Sequence, residues 1–291
     1  MKFYPSLDKR DTKIYIKESK KKSYSFFISS IKCLFMGNIK GFRKNYNRSK
    51  SLMTNLKKTD YPYGLVKNKK KIAVYTVLYG DYDSIKPVKT KNVLCDYYIF
   101  TDQQVPVNSG WEKMDFEFPK EIKNNNILKN RYLKMHPHIL FPEYEYSIYL
   151  DAVFTIELDI YRLMGRMGEH IIGLFDHHRG TQCLYEEAKI LKRINKVPSA
   201  DIDKQMIKYE KEGFPHNFGF VECGLIIRKH NDKKCIIIME TWWDQFIKGA
   251  KRDQLSFMYS IWKNGLTKKD IAYLGTTYWD EPIVPSEGHK K

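Results

Sequence analysis

Tyr146-Ser147-Ile148-Tyr149-Leu150-Asp151-Ala152 is a short apolar run, rich in aromatic and β-branched residues, that stops at a carboxylate. Such a run reads as a buried strand. An Asp at the C-terminal end of such a strand stands where open α/β sheets place their ligands. Taken alone, Asp151 is read equally well as a helix N-cap or a turn residue, so its neighbours decide. Upstream, Ile72 to Tyr79 is a second buried strand closed by the turn Gly80-Asp81-Tyr82-Asp83, and Cys95 to Phe100 is a third, stopped at Thr101-Asp102. Asn124 to His138 reads as a helix that Pro137 and Pro142 close. Downstream, His170–Phe175 and Val221–Arg228 are strands, and helical patterns run over 182–196, 201–212, 233–248 and 252–263. Strands separated by helices of this length predict an α/β fold with a mostly parallel sheet and helices on both faces.

The chain has 291 residues and a net charge of +17. Residues 1–71 carry 20 Lys and Arg against 4 Asp and Glu, whereas the remaining 220 residues carry 31 against 30. The body is therefore nearly neutral, and the basicity belongs to an N-terminal arm rather than to a nucleic-acid-binding fold. The apolar stretch Tyr24 to Met36 is too short to span a bilayer, which takes about 20 residues, and no small-residue cleavage site follows it. Phe26, Phe27, Ile28, Ile31, Leu34 and Phe35 share a helical face with cationic flanks. Two main readings stand side by side, a helix drawn to an anionic membrane surface or a helix packed on the body, with RNA binding by the arm as a third. The expected domains are an arm over 1–71 and an α/β body over 72–291. Five cysteines without a CxxC pair read as buried thiols in a reducing compartment.

No GxGxxG, GxxxxGK[ST], GxSxG or HExxH is present, so dinucleotide, P-loop, hydrolase-elbow and zincin chemistry have no support. The candidates are polar groups at strand and helix ends. Thr76, Tyr79, Tyr82 and Asp102 follow the first two strands, where a base and ribose would lie; ordinary turn chemistry and packing compete with that reading. Arg131 and Lys134, three apart, share a helix face and suit a diphosphate, or a solvated face. His177 and Arg179, with Glu187 on the next helix, suit a metal or a polar acceptor, or a polar loop. Glu222, second in the Val221–Arg228 strand, is a further candidate catalytic carboxylate. Arg252, Asp253 and Gln254 open a helix whose dipole favours a carboxylate, and Asp253 there could hold or deprotonate a sugar hydroxyl. Trp243 offers a flat face to a sugar ring, or a core residue.

In this order the motifs resemble one family. Tyr75-Thr76 to Gly80-x-Tyr82-Asp83, Pro137-His138 to Asp151, His177-x-Arg179 with Glu186-Glu187-Ala188, and Trp242-Trp243 with Arg252 to Phe257 resemble the glycosyltransferase-like domain of unknown function family 616 of bacterial polysaccharide loci and plant mucilage proteins. The resemblance covers about residues 72–289. It implies a GT-A-like Rossmann-type sheet and transfer of a sugar from a nucleoside diphosphate donor, uridine-linked by preference. The acceptor would be a hydroxyl of a polysaccharide or lipid-linked glycan. It also implies a divalent metal, Mn²⁺ or Mg²⁺, on an Asp-x-Asp motif. Asp151 matches the first carboxylate, but Val153 replaces the second, and His289 is the implied C-terminal ligand. Asp151, Asp253 and Glu222 are the expected catalytic carboxylates, and the basic arm would hold the enzyme at the cytoplasmic face of a membrane. A metal-dependent hydrolase using Asp151 with His177 or His178, and a non-catalytic sugar-nucleotide-binding module, are the alternatives.

Overall fold

The computed structural model of the chain describes residues 9–59, 72–177 and 180–286. Its centre is one sheet of seven strands: β1 (Ile72–Leu78), β2 (Cys95–Thr101), β3 (Glu112–Met114), β4 (Tyr146–Asp151), β5 (Ile172–Asp176), β6 (Val221–Arg228) and β7 (Ala272–Tyr273), in the order β3-β2-β1-β4-β6-β5-β7. β1 is parallel to both β2 and β4, and β3 and β7 are parallel to their neighbours. Only β6 runs against the rest, between β4 and β5. The mostly parallel sheet read from the sequence is the sheet observed. The reversed strand has a functional consequence. With Leu150 paired to Leu225, β6 brings Glu222, Cys223 and Gly224 level with the C-terminal end of β4, where Asp151 stands.

The helices are α1 (Lys9–Phe35), α2 (Ile39–Thr59), α3 (Asn126–Met135), α4 (Pro137–Leu140), α5 (Leu184–Arg193), α6 (Ser199–Lys211), α7 (Lys233–Lys248) and α8 (Gln254–Lys263). One helix was expected over 124–138. Two form instead, because Pro137 cannot continue α3 but suits the first turn of α4. On one face of the sheet Tyr75, Phe100, Tyr149 and Leu174 pack under Leu133, Ile238, Trp242 and Phe257 from α3, α7 and α8. The opposite face, with Val74, Ile99 and Ile148, is covered by residues 153–167 and by Tyr15 and Leu56 of the N-terminal helices.

α3 is the helix that matters most for the site, and its position is pinned from below. Its last carbonyls cannot be satisfied within the helix. Fully buried Arg228 of β6 donates to Lys134 O at 2.6 Å and to Tyr75 Oη at 2.7 Å, and Tyr75 Oη donates to Leu133 O at 3.1 Å. At the other end Asn125 caps α3 by accepting from Leu128 N, and Asn130 ties it to Val77 O at 2.7 Å.

α1 and α2 form a hairpin whose open end docks on the body. Arg162 meets Asp11 at 2.8 Å, Arg166 bridges Glu281 and Tyr15 Oη at 2.6 and 2.8 Å, and Arg48 pairs with Asp280. Of the two readings of the arm, packing on the body holds for this end of the hairpin. Residues 60–71, where the junction with the body was expected, lie outside the described residues.

Candidate functional site

Three cations and two carboxylates meet at the C-terminal end of β4. Asp253 stands at the N-cap position of α8, yet its side chain does not cap the helix. It turns to α3 instead, accepting from Lys134 Nζ at 2.6 Å and facing Arg131 Nε at 3.2 Å. The i, i+3 spacing of Arg131 and Lys134 is what lets both reach one carboxylate. The backbone of Asp253 is fixed in turn, since its carbonyl accepts from Trp242 Nε1 at 2.7 Å and Ser256 Oγ at 3.1 Å. Asp151 accepts from Tyr149 Oη at 2.7 Å and has Lys134 Nζ at 3.5 Å, while a third of its side chain stays exposed. Arg252 adds a third cation beside Asp253, and its buried Nε has no hydrogen-bond partner.

The electrostatics follow from this packing. Burial opposes ionisation of Asp253, but Arg131, Lys134 and Arg252 override it and hold the carboxyl far below the usual carboxylate range. A carboxylate held so low is a poor proton acceptor near neutrality. Its role in this arrangement is to order the cations. Burial, and next Asp151, push the Tyr149 hydroxyl well above its ordinary value. Tyr278 is raised likewise by burial, then by Glu222 and Asp151.

A second wall comes from residues 277–278, which no motif in the sequence had singled out. Glu222 accepts from Thr277 Oγ1 at 2.9 Å and from Tyr278 N at 3.2 Å. Gly224 lies between them and Asp151. A methyl group at Gly224 would stand 2.8 Å from Tyr278 Oη and 3.0 Å from Asp151 Oδ2. A glycine inside a strand marks a close approach of this kind, and that was the available signal.

Tyr79 and Asp102 occupy a separate cleft at the ends of β1 and β2. It encloses about 400 Å³ and is lined by Tyr79, Asp102, Phe116, Phe118 and Lys129 among others. The Asp102 carboxylate accepts from Gly80 N at 2.9 Å, which holds the turn after β1, where Gly80 adopts φ +74°. Tyr79 meets Phe118 edge to face at 5.6 Å, with Lys129 Nζ 5.1 Å from its ring. Tyr82 is exposed. Thr76 lies on the opposite face of β1 from Tyr75 and Val77, and its buried hydroxyl has no hydrogen-bond partner.

The remaining candidates lie elsewhere. His177 sits against Phe220 at 4.9 Å and has Glu187 at 4.0 Å. Trp243 packs edge to face against Tyr132 and His136, which stack on each other, where α7 meets α3. Gln254 donates to Val221 O at 3.0 Å, tying α8 to β6. His178, Arg179 and His289 lie outside the described residues.

Val153 is buried in the core beneath the sheet, and no three His, Cys, Asp or Glu side chains come together for a metal among the described residues. Asp151 has an ammonium group beside it instead of a second carboxylate. The described donor set alone does not fit a divalent cation.

The model of the TOD1/MUCI70 glycosyltransferase-like domain matches residues 120–274, just over half of the chain. None of the curated proteins matches it. Among solved structures, similarity is found to WbbM, a bifunctional glycosyltransferase, with 10% identity and a TM-score of 0.43 over 73% of this chain and 39% of that one. Mouse xyloside xylosyltransferase 1 gives 9% identity and a TM-score of 0.40 over 70% and 84%. The chain thus spans about two fifths of WbbM. The chain belongs to the TOD1/MUCI70 glycosyltransferase-like family.

Proposed function

We propose that this member of the family transfers a sugar from a nucleoside diphosphate donor to a hydroxyl of a glycan. The observation that carries this reading is the convergence of Arg131, Lys134 and Arg252 on Asp151 and Asp253 at the C-terminal end of a mostly parallel sheet. In the transfer, the bond from the anomeric carbon to the diphosphate oxygen breaks and the acceptor oxygen takes its place. The departing diphosphate gathers negative charge, and fixed cations in a site of low polarity stabilise it most. Arg131 and Arg252 match phosphate oxygens through two donors each, while Asp253 keeps Arg131 and Lys134 in place before the donor arrives. Asp151, partly exposed and oriented by Tyr149, is the carboxylate available to a sugar hydroxyl or to the acceptor's proton. The cleft of Tyr79, Phe116 and Phe118 suits a base by stacking, and Asp102 the ribose hydroxyls. Uridine diphosphate sugars are the first donors to try, with polysaccharide or lipid-linked glycan acceptors.

The test is a thermal-shift panel of UDP, GDP, CDP and CMP, each with Mn²⁺, Mg²⁺ or EDTA. A nucleotide at 100 times its dissociation constant stabilises the fold by about 2.7 kcal/mol, or several degrees in a domain of this size. One nucleoside diphosphate should do so in EDTA as well as in metal, because the cations that receive it are side chains. No shift with any nucleotide would overturn the reading.

A further inference from the structure

The free end of the α1–α2 hairpin is built inside out for a water-exposed element. Its seam is polar: Ser23 Oγ bonds Ser49 Oγ at 2.9 Å, Asn45 donates to Cys33 Sγ at 3.7 Å, and the Arg48 guanidinium lies 3.9 Å over the Phe26 ring. The apolar side chains face outward instead. Tyr24, Phe27, Ile31, Leu34 and Phe35 fall within an arc of about 100° on α1, and all but Ile31 are among the exposed large hydrophobics. At the turn Phe35, Met36 and Ile39 are 87%, 82% and 59% exposed. A solitary exposed apolar residue needs no explanation, but a contiguous patch marks an interaction surface.

Charge identifies the partner. Residues 19–59 contain 11 Lys and Arg and no Asp or Glu. Lys32, Lys40, Arg43 and Lys44 are exposed around the apolar turn. An apolar tip ringed by cations without a balancing acid is the composition of an element that inserts shallowly into an anionic lipid surface. On such a surface phosphate headgroups would meet the lysines while Phe35 and Met36 entered the acyl boundary. No described helix is long and apolar enough to cross a membrane.

We infer that the tip of the α1–α2 hairpin, Leu34 to Lys44, docks this protein on an anionic bilayer. The inference does not depend on the transferase reading. It has a consequence for the site, because about halfway along, at Lys22 and Arg48, the hairpin holds the segment that carries Thr277 and Tyr278. Arg48 pairs with Asp280 and Lys22 donates to its carbonyl at 3.2 Å. The membrane contact therefore fixes the orientation of the wall around Glu222 and Gly224 relative to the lipid plane.

The experiment is vesicle flotation of the full chain, with phosphatidylcholine alone and with added phosphatidylserine. Wild type should float only with the anionic vesicles, and less as salt rises. Phe35→Ser/Met36→Ser should lower the partition at least about tenfold. Lys40→Glu/Arg43→Glu/Lys44→Glu should lower it about a hundredfold, at roughly fivefold per cation lost near an anionic surface. Melting should stay that of wild type in both, since these side chains are exposed. Equal flotation with both vesicle types, or variants that float like wild type, would overturn the inference. So would a tip that instead binds an RNA homopolymer without vesicles, or self-association lost in Phe35→Ser/Met36→Ser without lipid binding.

Discussion

Replacing Lys134 by Met removes an ammonium group that is 2.6 Å from Asp253 and 3.5 Å from Asp151, while keeping most of the volume of its stem. At an effective dielectric constant of about 20, Coulomb's law gives roughly 6 kcal/mol for the first contact and roughly 5 for the second, before desolvation. Desolvation of the buried ammonium cancels much of this, and removing one partner of a buried pair costs about 3–5 kcal/mol. Arg131 still neutralises Asp253 at 3.2 Å, so the loss should fall at the lower end, about 3 kcal/mol. In a domain of this size that lowers the melting temperature by about 6–12 °C. The assay is thermal denaturation of wild type, Lys134→Met, Asp253→Asn and the double variant. The double variant has no uncompensated carboxylate at 253, so its loss should be smaller than the sum of the singles by at least about 1 kcal/mol. Additive losses, or a Lys134→Met protein that melts like wild type, would refute the ion-pair account of this cluster.

Three further outcomes are expected. Gly224→Ala places a methyl 2.8 Å from Tyr278 Oη and 3.0 Å from Asp151 Oδ2, so donor turnover should fall more than tenfold for a stability loss of about 1–3 kcal/mol. Kinetics and denaturant midpoints on the same protein check this. Asp102→Ala frees the turn that Gly80 N anchors and should weaken nucleotide binding about tenfold by calorimetry, one charged hydrogen bond being worth about 1.5 kcal/mol or more. Burial lowers the pKa of His230 to about 4, so between pH 6.5 and 4 the unfolded chain binds a proton that the fold excludes. Stability is therefore full above about pH 6.5 and falls towards pH 4, by up to roughly 3 kcal/mol from this residue. His136 and His138, also lowered chiefly by burial, add in the same direction. Asp253, depressed instead, loses its contribution only below the ordinary carboxylate range. Urea midpoints from pH 7 to 4 should show a shallower slope for His230→Gln.

The strands with the strongest sequence signal, β1, β2, β4 and β6, were legible because each is an apolar run, buried on both sides in all but β2, and stopped by a turn or a charge. β3 and β7 were not, since three and two residues leave no period to read. The reversal of β6 was hidden for a related reason: a strand buried on both faces has the same composition whichever way it runs. Arg131, Lys134, Asp151 and Asp253 were singled out by chain position alone, at helix faces and strand ends. Their convergence depends on the Arg228 and Tyr75 contacts that pin α3, which no local pattern encodes. Tyr278 and Thr277 were missed because they lie in an irregular segment whose place is set by distant partners, Glu222 on one side and the hairpin's Arg48 on Asp280 on the other. Trp243 illustrates the converse: a flat aromatic beside another in a helix went to the α3–α7 packing.

Glycosyl transfer itself is tested most directly by release of nucleoside diphosphate from a panel of nucleotide sugars, wild type beside Arg131→Ala and Lys134→Met. One donor class should be consumed, with its diphosphate released at least about a hundredfold more slowly by each variant, as expected when a fixed cation is removed from a developing negative charge. A nucleotide that binds tightly while every donor stays intact, or turnover that both variants leave unchanged, would contradict it.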